Sequence, residues 1–189
     1  NTNELKYSEF MKFYWIILFG LSLCLMSCKK SEAVKVCGCI DINSPIYDPL
    51  AEDDDGSCLY MYAIEFEITS FPLTDANGSN WDVIPGTTNP DLLLTIRKEG
   101  ETNNTFTSSV LNNQDSSDKV IWTAPIPFAL LNENWIWELN DSDGLSDNDF
   151  MAQGIFNPLN EFNSSSSQLD LISSNGETSL TLYFTLNPQ

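Results

Sequence analysis

From Met61 to the C-terminus the apolar residues alternate with polar ones over short runs, and turn-rich spacers separate the runs. A two-residue period is that of strands with one buried face, not of helices. It predicts strands at "YAIEFEI" (62–68), "DLLLTIR" (91–97), "NTFTSS" (104–109), "KVIWTA" (119–124), "WIWEL" (135–139), "FMAQGIF" (150–156), "QLDLI" (168–172) and "SLTLYFTL" (179–186). Only "PFALLNEN" (127–134) carries a pattern that would suit a helix. Between the last two strands "SSNGET" (173–178) reads as a hairpin turn, because Asn175 and Gly176 tolerate positive φ. Eight short strands at this spacing predict an all-β fold, an eight-stranded antiparallel β-sandwich.

Composition agrees with a packed core and narrows the function. The 189 residues are 42% hydrophobic and 12% aromatic, enough for one ordinary domain with appendages. Their net charge is −19, and from Ile40 onward three basic residues face 24 acidic ones. Such a surface repels nucleic acid and anionic headgroups and suits a cation, or a partner bridged by one. Histidine is absent, so serine–histidine and cysteine–histidine catalysis are excluded. No glycine-framed serine elbow or phosphate-cradling loop occurs, and paired carboxylates for glycoside cleavage are not seen outside the acidic loops described below. The expectation is a non-enzyme.

The first 28 residues read as an export address. Lys12 precedes the apolar run "FYWIILFGLSLCLM", short for a spanning helix, which ends in "LMSC" (Leu25 to Cys28). This stretch resembles a bacterial lipoprotein signal, with Met11 as its start. The resemblance implies cleavage before Cys28 and diacylation of its thiol. Two acyl chains, at roughly 0.8 kcal/mol per buried methylene, hold a protein firmly to a bilayer. The implied location is the bacterial cell envelope, with the outer membrane expected. Lys29 and Lys30 add weak attraction to anionic headgroups.

Residues 29–60 form a linker and a short cysteine segment, "GCIDINSPIYDPLAEDDDGSCLY" at 38–60. It resembles a module of exported bacterial proteins of the form Gly-Cys-x-Asp, Asn-Tyr-x-Pro-x-Ala, Asp-Asp-Gly-Ser-Cys. Ile46 departs from it, standing where asparagine is usual. In an oxidising compartment a Cys39–Cys58 disulfide is expected, with Cys37 free, otherwise paired or bonded to another molecule. The acidic run Asp53, Asp54 and Asp55 either solvates a turn or binds a cation.

The main domain, residues 61–189, carries the densest negative charge in "NDSDGLSDNDF" (140–150). Asp141, Asp143 and Asp149 follow Asp-x-Asp-x5-Asp, with Ser146, Asn148 and Phe150 around them. This resembles the third calcium loop of C2 domains. "FPLTDANGSNWDVIPGTTNPDLLLTI" (71–96) resembles their first calcium loop, with Asp75 as its opening ligand, Gly78 as its turn and Asp91 before the next strand. An insertion carrying Trp81 and Asp82 lengthens this loop. Asp91 is the expected second ligand and Asp82 the other candidate. The resemblance implies a C2-like sandwich that binds calcium, which takes six to eight oxygens and so needs carboxylates from more than one loop. Beside those ligands Trp81, Val83, Ile84 and Leu145 are candidates to touch a membrane or partner. Two functions follow: an anchored module docking on lipid headgroups or a surface protein or glycan, or an adhesion spacer whose loops calcium only stiffens.

Overall fold

The computed structural model describes residues 34–82, 88–143 and 148–188. The export segment with Cys28, and the loop residues Val83, Ile84, Leu145 and Ser146, lie outside the described residues. One compact unit runs from Val36 to Gln189, so the cysteine segment and the sandwich belong together.

Two short strands, β1 (Cys37–Gly38) and β2 (Asp53–Asp54), pair in parallel within the cysteine segment. The eight strands of the main domain follow: β3 (Tyr60–Ser70), β4 (Leu92–Lys98), β5 (Phe106–Thr107), β6 (Val120–Leu130), β7 (Trp135–Asp141), β8 (Asp149–Phe156), β9 (Gln168–Ile172) and β10 (Ser179–Asn187). They form two four-stranded antiparallel sheets, ordered β6-β3-β10-β9 and β5-β4-β7-β8. This is the eight-stranded all-β sandwich expected from the alternation. Its core interleaves side chains from both sheets, among them Phe66, Ile68, Leu182 and Phe184 from one and Leu94, Ile96, Trp137 and Leu139 from the other. Phe66 and Phe106 meet across the layers with ring centroids 4.6 Å apart.

The stretch 127–134, the one short run that could pass for a helix, is not one. Residues through Leu130 continue β6, and the turn into β7 takes the rest. Pro125 and Pro127 are tolerated because β6 is an edge strand, where a missing N–H costs no ladder bond. One helical turn, α1 (Pro158–Glu161), lies elsewhere, with Pro158 in its first turn and the Asn157 side chain capping the N–H of Leu159 at 3.0 Å. The 173–178 turn is present, with Gly176 at φ +79°.

The disulfide joins Cys39 to Cys58, and Cys37 is a free, exposed thiol. Closing a loop with a separation of 19 residues is worth about 3 kcal/mol on the chain-entropy model. The segment is fastened to the sandwich by polar contacts. Tyr60 donates its hydroxyl to Asp41 Oδ2 at 2.6 Å, and Asn132 donates its backbone N–H to Asn43 Oδ1 and its side-chain amide to the Ile42 carbonyl. Asn132 precedes Trp135, the first residue of β7. The segment therefore sits at the end of the sandwich where β7 starts.

Candidate metal centre

The acidic residues gather at the other end of β7. Strand register sets Asp141, its last residue, opposite Leu92 of β4 and Asp149 of β8. A register shift between Leu139 and Asn140 gives β8 an extra residue there, and such bulges re-aim side chains at strand ends. The last three residues of β7 are all buried, against the alternation that precedes them. Asp141 is thus drawn into the fold instead of standing in a solvated loop, and it is only 1% exposed.

Hydrogen bonds account for one of its oxygens. Asp141 Oδ1 accepts the backbone N–H of Asp91 at 2.5 Å. Ser142 returns a backbone N–H to the Asp91 carbonyl at 2.8 Å, and Asp91 Oδ1 accepts the N–H of Asn113 at 2.7 Å. Asp91 is a brace between loops. Asp141 Oδ2 is buried and accepts no hydrogen bond from the described residues. A buried, unpaired carboxylate oxygen is costly unless a cation or proton meets it.

Two more carboxylates converge there. One oxygen from each of Asp82, Asp141 and Asp143 lies within 4.8 Å of the others. Burial pushes the Asp141 carboxyl up to about 6, against the lowering effect of the Asp91 N–H bond and reinforced by the charges of Asp82, Asp143 and Asp91. Asp82 is raised too, by burial first and then by Asp91 and Asp143. Like charges forced together out of water produce this pattern, and a divalent cation relieves it.

The expected ligands divide. Asp141 and Asp143 fall in the group, and Asp82, the other first-loop candidate, joins them. Asp91 stays adjacent, its carboxylate engaged with Asn113 and outside the three-oxygen group. Asp75 folds onto its own turn: Oδ1 accepts the N–H groups of Asn77 and Ser79 at 2.9 and 2.7 Å, and Oδ2 the Asn77 amide at 3.3 Å. Those bonds, that from Ser79 foremost, hold its carboxyl below the usual range. Asp149 opens β8, exposed and also outside the group. Of the contact candidates, Trp81 packs against the core and donates its indole N–H to the Pro72 carbonyl at 2.9 Å. That anchor holds the end of the inserted loop and so places Asp82, its neighbour. The aromatic in the insertion was the sequence signal for Asp82.

No protein-family model matches the chain, and no curated protein matches it. Solved structures do. The chain is similar to human GIVD cytosolic phospholipase A2 in complex with methyl gamma-linolenyl fluorophosphonate inhibitor and terbium chloride, at 12% identity and a TM-score of 0.46, over 69% of this chain. It spans 17% of the length of that enzyme. It is also similar to BON1-C2B (16% identity, 70% of this chain, 94% of that one, TM-score 0.40) and to a C2 domain of plant extended synaptotagmin 1 (10%, 69%, 94%, 0.40). The sandwich itself rests on its strand pairing and core, independently of these likenesses.

Proposed function

We propose that the chain is the calcium-binding, C2-like docking module of a lipid-anchored envelope protein. One observation carries the reading: Asp141, buried with one oxygen unpartnered among the described residues, stands among two further carboxylates at the tip of the sandwich. The donor set fits a hard divalent ion. Asp82, Asp141 and Asp143 supply carboxylate oxygens from two loops, and water completes the six to eight that calcium takes. Asp82, Asp141 and Asp143 would hold the ion, whose charge would offset most of theirs. This chain's residues do the rest: Asp91 orients Asp141 through its N–H, and Trp81 holds Asp82 in reach.

The cysteine segment and the acidic cluster lie at opposite ends of the sandwich. The N-terminal cysteine segment is clasped at Asn132, one full length of β7 from Asp141. The inward packing of Trp81 favours a second reading, in which calcium only stiffens the loops of a spacer. The two separate in a retention experiment. Calcium-dependent binding to vesicles or to isolated envelope surfaces, reversed by chelator, supports docking. Calcium-raised melting without retention supports the spacer.

A further inference from the structure

Next to the metal centre lies a second feature that the calcium reading does not use. An open groove of about 570 Å³ is walled by Thr74, Asp75 and Trp81 of the first loop, Phe150 at the start of β8, and Asn175 and Glu177 of the β9–β10 turn. Among the described residues its walls hold two carboxylates, one largely exposed aromatic ring and no cationic side chain. Phe150 is 55% exposed, whereas Met151 directly after it is buried. Both carboxylates are held in place by local bonds. Asp75 is fixed by its own turn, and Glu177 Oε2 accepts the Asn175 amide at 3.0 Å.

We infer that this groove binds a cationic side chain, arginine or lysine, presented by a protein partner. The inference names the partner class for the docking reading and rests on that reading, but not on the metal. Charge complementarity selects the occupant. A phosphate headgroup would meet Asp75 and Glu177 with no cation to offset them. A guanidinium or ammonium meets two carboxylates and an exposed aromatic side chain in one groove, a combination that favours cations. The turn bonds on Asp75, that from Ser79 foremost, hold its carboxyl below the usual carboxylate range.

The test uses the purified full-length protein and a fluorescein-labelled peptide of alternating arginine and glycine, followed by anisotropy at physiological salt. The same peptide with citrulline for arginine, a neutral polysaccharide panel, and phosphatidylglycerol vesicles are run beside it. Binding of the arginine peptide alone is expected. Phe150→Ala and Glu177→Gln should each weaken it about 2–5-fold, the range for exposed cation–π and ion-pair contacts. Glu101→Gln removes the same charge at the far end, near Lys98, and should leave binding unchanged. Melting curves confirm that each variant is folded. Equal weakening by Glu101→Gln, indifference to Phe150→Ala, or preference for citrulline, polysaccharide or vesicles would each overturn the proposal. Calcium calorimetry on the same samples reads the metal centre separately, so a failure of either is recognisable by itself.

Discussion

Replacing Asp141 with asparagine should stabilise the calcium-free protein while removing its response to calcium. In the wild type the carboxyl, ordinarily near 3.8, is raised to about 6, chiefly by burial. A group raised in the folded state contributes its stability below its unfolded value and loses it as pH rises through the folded one. Above pH 7 the ionised Asp141 therefore burdens the metal-free fold. The gap between 3.8 and about 6, at roughly 1.4 kcal/mol per unit, sets that burden at about 3 kcal/mol. The asparagine side chain keeps an oxygen for the Asp91 N–H and offers amide protons to the neighbouring carboxylates, so the pocket is left satisfied. For a domain of this size a change of about 3 kcal/mol moves the melting point by roughly 6–12 °C. Calcium at 100 times its Kd adds about 2.7 kcal/mol to the wild type and little to the variant. Calorimetric melts at pH 7.5, in chelator and in calcium, should therefore show the variant's lead in chelator shrinking or reversing in calcium. At pH 3.5, where the wild-type carboxyl is protonated, the chelator difference should vanish. A variant less stable than wild type in chelator at both pH values would refute this account of Asp141.

Two further predictions test the packing of β8 on β7 and the hold on the cysteine segment. A Cβ added at Gly154 would run into the buried indole of Trp137, so Gly154→Ala should cost about 1–3 kcal/mol and lower the melting point by several degrees, and an unchanged curve would contradict the packing. The phenol of Tyr60 is pushed up to about 12, first by its hydrogen bond to Asp41, and that bond also lowers Asp41. Tyr60→Phe should cost on the order of 1.5–3 kcal/mol at neutral pH, and less as pH falls through the Asp41 value; pH-independent loss in denaturant titrations would speak against the pair.

The strands were readable because alternation is what a half-buried sheet demands, and each of the eight main-domain segments overlaps its observed strand. Pattern alone is ambiguous where position outweighs it. "PFALL" has helical spacing, yet pairing of Phe128, Ala129 and Leu130 with Ala63, Tyr62 and Met61 keeps it extended. The pairing of β1 with β2 covers two residues each and leaves no periodic trace. At the tip, residue type showed that carboxylates converge but not which backbone N–H groups would occupy them. Asp75 is consumed by its own turn and Asp91 by Asn113, whereas Asp82 is brought in by the packing of Trp81. The burial of Asp141 was hidden for the same reason, since "NDSDG" reads as loop while strand pairing continues through its first aspartate.

The most direct test is calorimetric titration of calcium into the full-length wild type and into two variants, Asp82→Asn and Asp75→Asn. With Asp82, Asp141 and Asp143 as the cage, the wild type binds, Asp82→Asn loses most of the affinity, and Asp75→Asn binds as the wild type does. No heat from the wild type, or loss in Asp75→Asn with Asp82→Asn intact, would contradict it.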